Sequence, residues 1–187
     1  MDLEMTGLDP DTETILEIAV IITDGELNVI EEGPALVIHQ EDEILNRMDE
    51  WNRKQHSASG LIRQVKDSRL TLAGAEEQVL AFIKYYCPPH MAPLCGNSIG
   101  QDRKFLYKYM RQLHDYLHYR NIDVTSIKEL VSRWYLNGPK PPKKGDSHIA
   151  LKDVRESVEE LIFYRENYFI PVNHKEPAKQ PGGNDAV

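Results

Sequence analysis

Apolar and β-branched residues fill the first forty positions in short runs that are separated by turn residues. Residues 14–23 read TILEIAVIIT, an Asp-Gly pair follows at 24–25, and residues 29–39 are again extended in character. Runs of this kind joined by a turn pair predict antiparallel strands. A further short strand is predicted at 2–5, directly before them in the chain.

Helical spacing of apolar residues dominates the chain beyond residue 40. The segment 41–67 is polar and helical in pattern, with a break at 57–60, and Thr71 begins a helix that should end at Cys87. Apolar positions three and four apart predict one amphipathic helix over 101–117. Further helices are predicted at 126–135 and 149–167, and short strands at 93–96 and 121–124. Strands that lead into helices predict an α/β fold, in which helices flank a mixed central sheet.

The length of the chain accommodates one domain. Its 187 residues match the usual size of a single compact domain, which we place at 1–170. Residues 171–187 are rich in proline, glycine and polar side chains, so we expect a disordered C-terminal tail there.

Composition narrows the cellular setting of the protein. No run of 18 apolar residues is present, and the chain starts MDLE, with acid where a signal peptide carries base. We therefore expect neither a membrane-spanning segment nor secretion. Cys87 and Cys95 are too few for a disulfide framework, which favours a reducing compartment and hence the cytoplasm.

Net charge separates the classes of nucleic-acid binder. With 22 Lys and Arg against 30 Asp and Glu, the chain carries a net charge of -8. A protein that binds long duplex nucleic acid neutralises many phosphates with many cations, so this balance disfavours that class. A negative net charge is compatible with a short nucleotide substrate, because a few cations or metal ions suffice to bind its few phosphates. A metal site itself requires carboxylates.

Two acids stand two residues apart in the first predicted strand. Side chains at i and i+2 of a strand share a face and lie roughly 6.6 Å apart along its axis. Asp2 and Glu4 would therefore present two carboxylates side by side. Taken alone, this pair is most simply a solvated strand end. Asp102, at the start of the predicted helix over 101–117, is most simply an acid that interacts with the helix dipole.

His148 and Asp153 are candidates on the last predicted helix. Five residues correspond to a turn of about 140° between two side chains on a helix. We therefore place His148 in the loop before the helix and Asp153 within its first turns. Ala150, Asp153 and Ser157 share one face of short side chains, which would let that face approach the sheet and its acids. A lone histidine in such a loop is otherwise most simply a surface residue.

Carboxylates that converge on one spot repel one another, and divalent cations compensate the repulsion. Two ions roughly 3.5 to 4 Å apart form the clamp for in-line phosphodiester cleavage. Oxygen ligands without cysteine favour Mg²⁺ or Mn²⁺ over zinc. His148, which titrates near neutrality, would then take the proton from the attacking water. The acids of this predicted two-ion site are Asp2, Glu4, Asp102 and Asp153.

At these positions the sequence closely resembles the oligoribonucleases, members of the DEDDh group of 3′ to 5′ exonucleases. The matching segments span about residues 1–170 in the order of the family. They are DLEMTGLD at 2–9, EGP at 32–34, DEWN at 49–52, GNSIGQDRKFL at 96–106, HYRNIDV at 118–124, KEL at 128–130 and the H-x-A-x-x-D of 148–153. A D-x-E pair is a weak signal by itself, but the ordered combination is highly specific.

The resemblance implies a ribonuclease H-like fold and an enzyme that cleaves very short RNA, dinucleotides above all, into nucleoside 5′-monophosphates. It also implies a homodimer. By the same match, His148 would be the general base and the metal ligands would be Asp2, Glu4, Asp102 and Asp153.

The same resemblance implies residues that contact the bases of the substrate. Leu8 would wedge between the two bases, and Trp51 and His56 would line the substrate pocket. Without the resemblance, partial burial of Trp51 against a helix is an equally good interpretation.

Four further residues are implied at the ends of the substrate site. Ser98, Arg120 and Thr125 match residues that cap the 5′ phosphate and so limit substrate length. A guanidinium and hydroxyls suit this role, because they form charge-assisted hydrogen bonds with a terminal phosphate. Tyr119 matches a residue that reaches into the site of the partner subunit.

Three positions depart from the pattern of the family. Family members usually carry several residues of the first strand ahead of the aspartate matched by Asp2, whereas only Met1 precedes it here. We expect a start assigned too late, a trimmed chain, or a short first strand with a weakened metal site. Thr125 and Ser126 exchange the usual order of two hydroxyl residues, and Lys152 stands where an acid is common.

Other functions stay open at this point. One is a DEDDh exonuclease for longer single strands, against which the phosphate-cap match and the acidic charge speak. Another is a non-catalytic binder of short RNA or signalling dinucleotides, with a metal site disabled by the short first strand. A third is an α/β interaction module whose acids lie on the surface without a function.

Overall fold

The N-terminal part of the chain forms an antiparallel sheet, as the sequence predicts. The computed structural model describes residues 1–142 and 149–169, so the predicted tail at 171–187 lies outside the described residues. The strands of this sheet are β1 (Asp2–Met5), β2 (Ile15–Thr23) and β3 (Val29–Val37), in the order β1-β2-β3. The register of β1 and β2 sets Glu4 opposite Glu17.

A second pair of strands lies beside β1. β4 (Pro93–Gly96) and β5 (His118–Asp123) pair in parallel. The two groups of strands meet where the Met1 nitrogen donates a hydrogen bond of 2.9 Å to the Cys95 carbonyl oxygen. A Cβ at Gly96 would lie only 2.7 Å from the Met1 carbonyl oxygen. Glycine is required there because the two backbones approach too closely for a side chain.

Helices connect and cover these strands. In the described residues they are α1 (Asp42–Arg47), α2 (Glu50–Ala58), α3 (Leu61–Asp67), α4 (Leu72–Tyr86), α5 (Gly100–Tyr109), α6 (Arg111–Tyr116), α7 (Val124–Trp134) and α8 (Ala150–Tyr168). The predicted break at 57–60 is confirmed, because Gly60 adopts a φ of 78° between α2 and α3. Across 1–142 and 149–169, no helix combines the length and the apolar character that a membrane crossing requires.

The prediction of one helix over 101–117 is wrong, because α5 and α6 are separate helices. Met110 leaves helical geometry at φ -136° and ψ 63°. In the first turn of α6, the N–H of Leu113 donates to the buried Glu76 Oε1 of α4 at 3.0 Å. Met110 and Leu113 both enter the core. The apolar spacing therefore continues across the break, and the sequence pattern does not reveal it.

Strand β2 separates two packed sides of the sheet. Ile18 and Ile22 belong to the main core, which residues of α4, α5 and α6 complete. On the other side, Ala19 packs with Ala150 of α8. Both alanines are fully buried, so α8 comes close to the sheet. Because alternate residues of a strand face opposite sides, Glu17 shares the α8 side with Ala19.

Gly96→Ala should destabilise the protein, because the added Cβ would force the β1 and β4 backbones apart. We expect the free energy of unfolding to fall by about 1–3 kcal/mol, the usual cost of an extra methyl group in a packed interior. Urea denaturation followed by circular dichroism measures this change. Gly25→Ala is the matched control, since a Cβ there meets nothing within 4 Å. Equal effects of the two substitutions would contradict the close approach of the strands.

Candidate active site

Three acids from two distant parts of the chain come together on the α8 side of the sheet. Asp2 and Glu4 lie two residues apart on β1 and so share one face, and Asp153 lies in the first turn of α8. One carboxylate oxygen from each of these residues lies within 4.8 Å of the other two. We call Asp2, Glu4 and Asp153 the acid cluster. Such a set of hard oxygen donors is suited to a divalent cation.

Asp102 lies beside the acid cluster rather than in it. It sits in the first turn of α5 and is only 5% exposed. Its Oδ1 accepts a hydrogen bond of 2.9 Å from the backbone N–H of Leu3. Leu3 stands between the two acids of β1, so this bond attaches the strand to α5. Asp102 also helps to raise the pKa of Asp2 through its charge.

Burial and like charges raise the pKa values of three acids at this site, Asp2, Glu4 and Asp102. Burial, followed by the charges of Asp102 and Glu4, raises the pKa of Asp2 to about 8. Burial, followed by the charges of Asp153 and Glu17, raises the pKa of Glu4 to about 8. The pKa of Asp102 rises to about 6, chiefly through burial. A bound cation would oppose these shifts, because it stabilises the ionised carboxylates.

Glu17 is a further acid at this site that the sequence analysis did not single out. It is buried on β2, and its Oε2 accepts a hydrogen bond of 3.3 Å from the N–H of Ala150, the first residue of α8. Burial raises its pKa, and the charge of Asp153 adds to that effect. Glu17 therefore attaches the start of α8 to the sheet. Its signal in the sequence is an acid inside an otherwise apolar strand.

His56 lies behind Glu4 and is only 3% exposed. Its Nε2 is 2.9 Å from the Met5 carbonyl oxygen, which only accepts, so Nε2 carries a proton. Its Nδ1 is 3.9 Å from Glu4 Oε2. The structure thus places His56 next to a member of the acid cluster. Lining of the substrate pocket by His56 stays a prediction.

Leu8 and Trp51, the two predicted base contacts, are exposed. Leu8 is 73% exposed just beyond β1, and its carbonyl oxygen accepts a hydrogen bond from the Gln101 side chain of α5. Trp51 is 61% exposed in the first turn of α2. Both side chains therefore present apolar surface to solvent, Leu8 just after β1 and Trp51 at the start of α2.

The four residues predicted at the ends of the substrate site separate into two pairs. Ser98 and Thr125 lie together, with their hydroxyl oxygens 3.1 Å apart. Arg120 instead packs on Tyr119: its Nε donates to the Tyr119 hydroxyl at 2.9 Å, and its guanidinium lies over the ring. Both residues of this second pair are exposed on β5. His148, the predicted general base, lies outside the described residues.

Comparison with known proteins decides the family. The RNase T exonuclease family model matches residues 1–161. An oligoribonuclease from Pseudomonas syringae pv. tomato is 55% identical over 172 residues, which cover 91% of this chain and 95% of that protein. The chain belongs to the oligoribonuclease family. An oligoribonuclease from Pseudomonas aeruginosa is 52% identical over 168 residues, covering 90% of this chain and 93% of that protein. The chain is therefore an enzyme of the exonuclease class, as the sequence predicts.

Solved structures of more distant exonucleases share the fold. Exonuclease I from Methylocaldum szegediense superposes with a TM-score of 0.65 at 20% identity. E. coli exonuclease I in complex with an oligonucleotide superposes with a TM-score of 0.62 at 16% identity. Each match covers 89% of this chain but 40% of the solved chain, so this chain spans less than half of those proteins. The predicted ribonuclease H-like α/β fold is confirmed.

The exonuclease family generally uses divalent metal ions. The acid cluster fits this chemistry in two respects. It supplies oxygen donors from three converging side chains, and a cation would offset the burial and the like charges that raise the pKa values of Asp2 and Glu4.

The metal-free protein should lose stability as the pH rises from about 4 to about 8. The pKa values of Asp2 and Glu4 are raised in the folded state, so the folded state binds more protons than the unfolded state in this window. The stability that these two acids contribute is therefore greatest below their pKa in the unfolded state. It is lost as the pH rises through their pKa in the folded state. Urea denaturation in EDTA at several pH values measures the slope.

Asp2→Asn is the control for this slope, because it removes one titrating acid and its repulsion of the others. The slope of stability against pH should be smaller in this variant, and saturating Mn²⁺ should reverse the loss in the wild type. A wild-type stability that is constant or rises from pH 5 to 8 in EDTA would contradict the electrostatics of the acid cluster.

Proposed function

We propose that this chain is a metal-dependent 3′ to 5′ exoribonuclease that degrades very short RNA, dinucleotides especially, to nucleoside 5′-monophosphates. The observation that carries the proposal is the acid cluster, which joins β1 to α8 in a member of the oligoribonuclease family. The activity is assigned to one domain over about 1–170. The expected setting is the cytoplasm, in keeping with two cysteines that are free thiols.

Two divalent ions, Mg²⁺ or Mn²⁺, are the cofactors of this proposal. The residues that would hold them are Asp2, Glu4, Asp102 and Asp153. When bound, such ions stabilise the attacking and leaving oxygens of an in-line displacement and lower the pKa of water. The protein contributes the position of the ligands: Leu3 N–H orients Asp102, and Glu17 attaches the start of α8, which carries Asp153.

His148 is assigned the role of general base. Imidazole titrates near neutrality, so it accepts a proton from the attacking water at physiological pH and releases it afterwards. His148 directly precedes Ile149, the residue before α8, in the sequence. The bond between Glu17 and the Ala150 N–H therefore anchors the backbone two residues beyond it.

Substrate length is limited by contacts at both ends of a dinucleotide. The exposed Leu8 side chain would wedge between the two bases, and Trp51 and His56 would line the substrate pocket, His56 next to Glu4. Ser98, Thr125 and Arg120 are assigned to the 5′ phosphate. Stacking and one terminal phosphate suffice for a short ligand, which is how a protein of net charge -8 binds RNA.

The active unit of this proposal is a homodimer in which Tyr119 reaches the site of the partner subunit. Tyr119 is 73% exposed in the single chain. Large apolar side chains at the end of α7 and just beyond it, Trp134 and Leu136, are also exposed. Exposed aromatic and aliphatic side chains of this size are typical of protein interfaces.

The purified protein should hydrolyse a 5′-phosphorylated diribonucleotide rapidly with Mg²⁺ or Mn²⁺ and not in EDTA. A twenty-nucleotide single strand should be cleaved far more slowly. Asp102→Asn should lower kcat by at least about a hundredfold while the protein stays folded, because it removes a charge required at the metal site. Product analysis by chromatography measures both rates.

Three outcomes would contradict this function, each in favour of a different alternative. Faster cleavage of the twenty-mer indicates an exonuclease for longer strands. Tight binding of the dinucleotide and of Mn²⁺ without turnover indicates a non-catalytic binder. Unchanged activity in Asp102→Asn indicates that the acids have no catalytic role.

Light scattering should give a mass twice the 21.5 kDa of one chain. Tyr119→Ala should retain this mass and lower kcat/KM for the dinucleotide, because the residue is assigned to the substrate of the partner. A monomer that hydrolyses the dinucleotide at the full rate would contradict the role of Tyr119 and the dimeric active unit.

A further inference from the structure

The loop that carries Leu8 is closed at its base. Residues 6–14 connect β1 to β2, and we call them the Leu8 loop. At its base the Thr6 N–H donates to the Thr14 carbonyl oxygen at 3.0 Å, and the Thr14 N–H donates to Thr6 Oγ1 at 2.9 Å. Thr6 and Thr14 are both buried, whereas Leu8 is exposed. The Leu8 loop therefore leaves the sheet as a closed unit.

The returning arm of the Leu8 loop, residues 9–13, packs against the arm that carries Leu8. The N–H groups of Thr12 and Glu13 donate to the Asp9 carbonyl oxygen at 3.2 and 2.9 Å, which makes the returning arm a compact turn. A Cβ at Gly7 would lie 2.9 Å from Glu13 Cγ, so the two arms are in contact. Because Gly7 directly precedes Leu8, the position of the returning arm limits the position of Leu8.

Tyr109, at the end of α5, holds the returning arm. Its hydroxyl oxygen lies 2.5 Å from the Glu13 carbonyl oxygen and 3.1 Å from the Pro10 carbonyl oxygen. A phenol has one proton and carbonyl oxygens only accept, so the main hydrogen bond goes to the nearer oxygen of Glu13, and Pro10 shares it. The Tyr109 ring stacks on that of the fully buried Phe105, with ring centres 6.1 Å apart. Tyr109 therefore connects the returning arm to the core.

Two longer side chains of α5 also contact the Leu8 loop. Gln101 Nε2 donates to the Leu8 carbonyl oxygen, and Lys108 Nζ donates to Asp11 Oδ1 at 2.8 Å. Both contacts are exposed to solvent, so water competes for the same groups and each contact restrains the loop only weakly. Tyr109 is half-buried and packs on the core, so it restrains the Leu8 loop more strongly.

Helix α5 also holds the strand that carries the first two acids. Asp102, in its first turn, accepts the hydrogen bond from the Leu3 N–H at 2.9 Å. Tyr109 is the last residue of the same helix. Since one helix of ten residues bonds to β1 at its start and to the Leu8 loop at its end, it sets the place of Leu8 relative to the acids of β1.

We infer that Tyr109 is a positioning residue for the base contact of Leu8: its hydroxyl holds the returning arm against α5 and so keeps Leu8 in place between the two bases. The inference rests on the proposed function, which assigns the wedge to Leu8. Tyr109 does not touch the substrate in this role. It acts through Leu8, so its hydroxyl should matter most for a substrate that carries both bases.

Base dependence tests the inference. We define it as kcat/KM for a 5′-phosphorylated diadenylate divided by kcat/KM for the same dinucleotide without the base of its 5′ nucleotide. Both substrates carry the same scissile phosphodiester, so damage at the metal site would lower both values by the same factor. Tyr109→Phe should lower the ratio about three- to tenfold, the effect of losing one ordinary hydrogen bond. Leu8→Ala should lower it at least as much.

Tyr116→Phe is the matched control. The Tyr116 hydroxyl donates to the Cys87 carbonyl oxygen at 2.7 Å, so this variant also removes a bond between a half-buried tyrosine and a backbone carbonyl. That bond joins α6 to the residue after α4, away from the Leu8 loop. The base dependence of Tyr116→Phe should equal that of the wild type. Equal losses in Tyr109→Phe and Tyr116→Phe would indicate a general effect on stability and would overturn the inference.

A double variant tests whether Tyr109 acts through Leu8. If it does, adding Tyr109→Phe to Leu8→Ala should cause no further fall in base dependence, because the wedge is already absent. A further fall as large as the one that Tyr109→Phe causes alone would overturn the inference.

Hydrogen exchange separates failure of the inference from failure of the proposed function. In the protein without substrate, the amides of Thr12 and Glu13 should exchange about three- to tenfold faster in Tyr109→Phe than in Tyr116→Phe, because the returning arm opens more often. Unchanged exchange, or a base dependence that falls in Leu8→Ala but not in Tyr109→Phe, would overturn the role of Tyr109 alone. Faster exchange with an unchanged ratio in Leu8→Ala would contradict the proposed wedge, and the inference with it. Faster exchange with reduced ratios in both variants supports the inference.

Discussion

Burial of like charges between β1 and α8 is the constraint on which this architecture depends. The acid cluster loses hydration there, and its carboxylates repel one another, so the remaining fold has to hold them together at a net cost. Two further acids contribute by accepting backbone hydrogen bonds: Asp102 from Leu3, and Glu17 from Ala150. A divalent cation reverses the sign of this interaction. The geometry that destabilises the metal-free protein is therefore the geometry that favours metal binding.

Helix α8 brings the two ends of the proposed substrate site into one rigid element. Its inward stripe begins with Ala150 on the sheet and continues with Asp153 in the acid cluster. It ends with Ser157 and Glu160, which accept hydrogen bonds from the Asn97 side chain. Asp153 and Ser157 are one turn apart, roughly 6 Å along the axis. Its outer face is attached to the sheet by ion pairs such as that of Arg155 with Glu32. In the proposed function, α8 therefore fixes the distance between the metal ligands and the residues assigned to the 5′ phosphate.

The structural features that could be predicted from the sequence are those determined by residues close together in the chain. The first four strands and most helices agree with their patterns, because alternation and helical spacing reflect nearby residues, whereas β5 begins at His118, three residues before the predicted strand. Just after the break at Met110, the Leu113 N–H bonds to Glu76 on another helix, and the spacing of apolar residues does not reveal this break. The position of Asn97 depends on partners 60 and 63 residues further along the chain. The predicted contacts to bases and phosphate came from family resemblance, and Arg120 packs on its neighbour Tyr119 rather than on the two hydroxyl residues.

Ser98 has a left-handed backbone, with a φ of 50°, so selection for folding and selection for the proposed phosphate contact favour different residues at this position. A residue other than glycine in this region costs roughly 1 kcal/mol or more. Under selection for thermal stability alone, a library of variants should therefore accumulate glycine at position 98. Under selection for growth on the products of RNA turnover, the same library should retain the hydroxyl. The difference between the two enrichment profiles at this one position would report how strongly the proposed phosphate contact constrains the evolution of the chain.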